Sequence, residues 1–158
     1  MTTALLKGMD IIENLSTDFD HLRDLTADLL VAPETNREAI FRQLVRLQDV
    51  SLKAQTSAIE SMDSDLEELE SAQQKLLERS DVMEELANSI YRTNHALLRD
   101  AKIELYADLV LQRIHDGERE ILPAIYDQTD VESRLQLGAE YEKYKSIALD
   151  PSFHTNAG

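Results

Sequence analysis

Residues 36–62, NREAIFRQLVRLQDVSLKAQTSAIESM, decide the fold: Ile40, Leu44, Leu47, Ala54 and Ala58 recur three, four or seven residues apart. That spacing keeps them on one face of a helix with about 3.6 residues per turn. The seam breaks at Ser51, where an apolar side chain is expected. Outward from this segment the same periodicity returns in Ile12, Leu15, Phe19, Leu22 and Leu29, then in Leu66, Leu69, Leu76, Met83 and Ile90, and again in Ile103, Tyr106, Val110, Ile121 and Ala124. Boundaries come from Pro33, which ends the preceding helix because the residue before a proline avoids helical torsions, and from Thr93-Asn94. A Ser or Thr three residues before a Glu, the reciprocal N-terminal capping pattern, stands at Thr35/Glu38, Ser64/Glu67 and Thr129/Glu132. These signals predict helices over 9–31, 36–62, 65–92 and 95–128, with a short fifth over 131–147. The expected class is all-α: an up-down-up-down four-helix bundle with a short C-terminal helix, because short connections make successive helices antiparallel neighbours. An extended coiled-coil dimer is the rival, and Pro33, the caps and the matched segment lengths argue against it.

Composition agrees. The 158 residues, 42% of them hydrophobic, suffice for one domain, expected over 1–150 with a flexible tail at 151–158. Four Gly and three Pro are too few for the turns of a sandwich or barrel. Absence of Cys excludes disulfides and thiolate chemistry. Thirty-one acids against 16 bases give a net charge of −15, the wrong sign for nucleic acid or an anionic membrane. No apolar run approaches the roughly 20 residues needed to span a bilayer, and the opening residues hold no signal-peptide core, so the expected location is the cytoplasm.

Continuing each apolar spacing puts Ser51, Gln73, Ser80, Arg113 and Gly117 on core-facing positions near mid-helix. In an antiparallel bundle such positions share one height, so Ser51, Ser80 and Arg113 are expected to meet, with Phe19 opposite. Bundles place metals and ligands at this height.

Asp10 to Phe19, Arg37 to Val50, Asp100 to Tyr106, Arg119 to Ile125 with its Leu-Pro, and Asp130 to Tyr144 resemble, in order and spacing, successive segments of hemerythrin-like (HHE cation-binding) domains. The resemblance covers residues 9–147. It implies a bundle whose mid-helix His residues, with Glu four residues after two of them, hold two irons. Carried over, the first His falls on Phe19. The second His and its Glu fall on Ser51 and Gln55, the third His on or near Ser80, and the fourth His and Glu on Arg113 and Gly117. None is a good iron ligand; a guanidinium has no acceptor at all. The expectation is therefore the family's fold without its iron, oxygen or nitric oxide chemistry.

The remaining His residues offer little. His21 and His115 each stand two positions past an expected ligand, a rotation of roughly 200°, which turns them from the seam. Asp18 with His21 and His115 with Glu118 are ordinary three-apart polar pairs. His95 falls in the first turn of the fourth helix and His154 in the tail. Arg113 has two readings, a pocket that binds a carboxylate or oxyanion bidentately or an internal ion pair with Asp49 or Glu84. Gly117 and Pro123 predict a bend in the fourth helix. Between Glu60 and Glu85 ten acids face two bases, about half the net charge; Glu60, Asp63, Asp65, Glu67, Glu68 and Glu70 begin this ridge. It either docks a basic partner or is a solvated face. Tyr126, Tyr141, Tyr144, Ile147 and Leu149 give the chain's end an aromatic face suited to folding over the bundle or to self-association.

No nucleophile–base pair, phosphate loop or catalytic carboxylate pair can be assigned. The expected function is a non-catalytic binding or regulatory module without cofactor, engaging a protein or a second copy. Two alternatives stand beside it: a two-iron, redox-responsive protein using His21, His115 and Glu118, and a small-ligand sensor with its pocket at Arg113, Ser51, Gln55 and Ser80.

Overall fold

The computed structural model describes residues 8–62 and 67–149, without the side chain of Glu68. The described residues are almost all helical, with no strand among them: α1 Ile11–Val31, α2 Glu34–Glu60, α3 Glu67–Arg92, α4 Ala96–Asp116, a π turn Gly117–Ile121, α5 Leu122–Gln128 and α6 Val131–Leu149. None is long and apolar enough to cross a membrane.

Helix ends follow local chemistry, not always at the expected residue. Asp10 caps α1 in a capping box, its carboxylate accepting from Glu13 N at 2.9 Å. Ala32 before Pro33 is extended, as proline demands. The cap expected at Thr35/Glu38 is absent, because α2 starts two residues earlier: Pro33 turns the chain directly into it, and its carbonyl accepts from Asn36 and Arg37. At the start of α6 the cap is Asp130, accepting from Ser133 N at 2.7 Å, while Thr129 closes α5 by donating to the Ile125 carbonyl at 2.6 Å. Ser64 lies outside the described residues. His95 caps α4 instead of lying in its first turn.

The bend near Gly117 and Pro123 is a π turn. Leu122 N–H reaches the Gly117 carbonyl five residues back, and Pro123 next to it has no N–H to continue the ladder. Gly117 itself has ordinary helical torsions. Its role is close approach: a Cβ there would lie 2.6 Å from Cζ of the buried Phe19 ring.

The apolar seams pack as their spacing predicts. Leu15, Phe19, Leu22, Leu44, Ile90 and Val110 are almost wholly enclosed. At one end Phe41 meets Tyr91 and Tyr106 edge to face, centroids 5.5 and 5.2 Å apart. α1 packs against α2, α4 and α6, and α3 against α4 and the π turn. Between α2 and α3 runs an open groove lined by residues of both.

The last helix is a 19-residue element that packs against both α1 and α2. Gly138 allows this, since a Cβ there would sit 2.2 Å from the Met9 carbonyl oxygen and under 3 Å from Asp10 backbone. Asn14 donates from its side chain to both the Met9 and Gly138 carbonyls at 3.1 Å, fixing the crossing. Of the C-terminal aromatic face, Tyr141 is buried and Tyr144 half-buried; Tyr126 and Ile147 stay exposed.

Because backbone cannot yield as a side-chain tip does, Gly138→Ala should lower stability by on the order of 2 kcal/mol. Urea unfolding measures this, and an unchanged midpoint would show that α6 does not cross α1 this closely.

Candidate functional site

On α2 the residues Gln48, Ser51 and Gln55 continue the 3-4 spacing, so the seam carries three successive polar side chains where the flanking turns carry leucine or alanine. All three are buried, and all three turn to Arg113 of α4, itself only 1% exposed. Its Nη1 donates to Gln48 Oε1 at 3.0 Å, and its Nη2 to Ser51 Oγ and Gln55 Oε1 at 3.2 Å each. The guanidinium carbon stands 5.3 Å from the Phe19 ring centroid, a cation–π approach inside the buried interior. Only Arg113 Nε lacks a partner.

Neither expected internal acid is the counterion. Asp49 pairs with Lys53 at 3.0 Å, and Glu84 is exposed. The charge is answered instead through a chain of hydroxyls. Ser51 Oγ lies 3.0 Å from Tyr141 Oη on α6, and Tyr141 makes a short hydrogen bond to Asp18 on α1. Lys145 Nζ reaches the other oxygen of Asp18 at 2.7 Å. Since the phenol gives its single proton to the carboxylate, Ser51 must donate to the phenol oxygen and accept from Arg113. The order of donation is thus Arg113 to Ser51 to Tyr141 to Asp18, with Lys145 completing the carboxylate. Asp18 therefore does not pair with His21: it stands one residue before Phe19 on the flank facing α6, while His21 is exposed.

Gln55 extends the layer outward, donating to Gln73 Oε1 at 2.9 Å; Gln73 in turn donates to Thr56 Oγ1 at 2.5 Å. Ser80 does not join it. The side chain is half-buried, makes no hydrogen bond to Arg113, and lines the groove between α2 and α3 beside Met83. The seam of α3 runs through Gln73, Leu76, Met83 and Ala87 and passes through Ser80 as well, but at that level it borders the open groove and not α2 directly.

Burial sets the electrostatics. It lowers the Arg113 guanidinium to about 10, against an upward pull from Tyr141 and Asp18, so the group stays a cation at neutral pH. Burial, with Asp18 adjacent, pushes the Tyr141 phenol far above its usual value, and burial raises Tyr106 likewise. The Ser51 hydroxyl faces a cation and a phenol held protonated, with no base to take its proton.

The side chains at this layer do not fit a pair of irons. Phe19 fills the space over Gly117, Arg113 brings a positive charge, and Ser51 and Gln55 are neutral and engaged with it. The other candidate ligands are not gathered: His115 is 61% exposed beside Asp116, and Glu118 pairs with Arg23. Among the described residues no three of His, Asp and Glu converge. Of the acidic ridge, Glu60, Glu67 and Glu70 are exposed; Asp63, Asp65 and the Glu68 side chain lie outside the described residues. No family model, curated protein or solved structure matches the chain.

The raised phenol gives a pH test with a definite sign. A group whose folded pKa lies above its unfolded one adds stability that is whole below the unfolded value, here 10, and is lost as pH climbs toward the folded value. Arg113 has the opposite sign: its buried charge costs stability below about 10, and that cost is relieved as pH rises toward the guanidinium's usual value. Tyr141→Phe removes only the first contribution and strands Asp18 and Ser51. It should cost about 2 kcal/mol at pH 7 and make the loss of stability above pH 10 shallower than in the parent. Denaturant titrations at pH 7, 9, 10 and 11 measure both; an unchanged alkaline slope would contradict the buried Tyr141–Asp18 bond.

Proposed function

We propose that this chain is a non-catalytic binding and regulatory module, built as a hemerythrin-like bundle in which α1, α2, α3 and α4 with α5 run up-down-up-down and α6 closes one side. The observation that carries the reading is the Arg113–Phe19 layer: the height at which such a bundle holds metal is filled by a ring, a guanidinium and the amides and hydroxyls that satisfy it. On this reading the chain is metal-free and works in the cytoplasm through a protein partner or a second copy of itself. Two surfaces support that role, the exposed acids Glu60, Glu67 and Glu70 and the face bearing Tyr126 and Ile147. Acidic side chains draw a basic partner by long-range attraction and repel phosphate backbones.

Elemental analysis of protein purified without chelator, and again after anaerobic loading with ferrous iron, tests the proposal. The expected result is no stoichiometric metal and no visible absorption band, with an intact helical circular dichroism spectrum. Two irons per chain would overturn it.

A further inference from the structure

The layer's outer edge opens onto a cavity of about 380 Å³ between α2 and α3, within the size range of small-molecule sites. At the roughly 30 Å³ that each water occupies, it holds about a dozen non-hydrogen atoms. Its wall is apolar where Val45, Met83, Ala87, Tyr91 and Tyr106 line it. Its charged rim carries three cations, Arg42, Arg46 and Lys53, against two acids, Asp49 and Glu84, so it is locally positive on a chain of net charge −15.

Two polar groups there hold only weak or neutral acceptors. Gln48 is 4% exposed and lines the cavity. Arg113 holds its carbonyl oxygen at 3.0 Å and so fixes the amide with Nε2 outward, where the described acceptor is the Met83 sulfur at 3.9 Å. Sulfur is a weak acceptor, and an amide nitrogen has two hydrogens to place. Arg46 is exposed and donates to the Leu149 carbonyl at 3.2 Å, with no acid against it among the described residues. The other cations are held: Lys53 by Asp49, and Arg42 by Glu38 with its guanidinium 4.9 Å above the Tyr91 ring.

We propose that this cavity binds a free small organic acid, its aromatic or branched apolar body against Met83, Tyr91 and Tyr106 and its carboxylate between Arg46 and the Gln48 amide. Glu84 on the opposite rim repels a second negative charge, so the ligand is a monoanion. Arg113 does not touch it. It acts as a positioning residue that presents the Gln48 amide, which moves the small-ligand site from the sealed Arg113 layer to the groove beside it. The proposal rests on the binding-module reading, and the two fail separately: stoichiometric iron removes that reading without affecting a ligand titration, and absent ligand binding leaves the metal result untouched.

The chain has no Trp, so the emission of an indole probe is read without protein background. The probe is indole-3-propionate, and indole-3-propionamide is its neutral counterpart. The carboxylate should bind saturably, one per chain and about tenfold or more tighter than the amide, as loss of a charge-assisted hydrogen bond implies. The exposed-site substitution Arg46→Gln should erase most of that preference while leaving the amide's affinity unchanged. In nuclear magnetic resonance spectra the Gln48 side-chain amide signals should shift on saturation with the carboxylate. Equal affinity for the two probes, no saturable binding of either, or an Arg46→Gln variant that keeps the preference would overturn the assignment.

Discussion

A guanidinium enclosed in a helical interior with no carboxylate against it is the constraint around which this molecule closes. Leaving such a charge without hydrogen bonds costs several kcal/mol, so every element near Arg113 must deliver an acceptor or a polarisable face. α2 brings Gln48, Ser51 and Gln55 on one stripe, α1 brings the Phe19 ring, and α6 brings Tyr141 as the link to Asp18. Two glycines follow from the same demand. Gly117 leaves the volume that Phe19 fills beneath the cation, and Gly138 lets α6 come close enough to α1 for the phenol to bridge Ser51 and Asp18. The polar chain fixes a register that apolar packing alone would leave looser, because a slip of one residue on α2 would break its bonds to Arg113 and Tyr141, and one on α6 would break the Tyr141 link to Ser51 and Asp18.

The four long helices were legible because each carries an apolar stripe at helical spacing, and Pro33 marks a real boundary. Phe19, Ser51, Gln55, Arg113 and Gly117 do come together, since a polar residue on an apolar seam must face the interior wherever the helix is packed. Ser80 does lie on the α3 stripe, four residues after Leu76 and three before Met83, but an open groove separates α2 from α3 at that level, so it lines the groove and makes no bond to Arg113. Asp18 and Tyr141 were missed as partners because α6 has almost no amphipathic contrast, so the face it buries is set by Gly138 and hydrogen bonds and not by an apolar stripe. The ladder Gln48, Ser51, Gln55 was the available signal: three polar residues at 3-4 spacing on a seam otherwise made of Leu and Ala. Caps at 35 and 129 failed for a local reason, as Pro33 and Asp130 satisfy the helix starts first.

The layer and the groove beside it divide the work in physical terms. Around Arg113 the described side chains satisfy one another, with the guanidinium Nε alone left without a partner in that network, which describes a filled centre. The groove is the opposite, half-open, lined by aromatic rings and cationic side chains, and joined to the centre through the single amide of Gln48.

The central claim is that the Arg113 guanidinium is locked, dry and stacked on Phe19. Nuclear magnetic resonance of protein labelled with ¹⁵N at arginine tests it most directly. The account predicts separately resolved Arg113 Nη protons that exchange slowly with water and carry nuclear Overhauser contacts and ring-current shifts from Phe19, all unchanged when ferrous iron is added. A single averaged, rapidly exchanging guanidinium signal without contacts to Phe19 would contradict it.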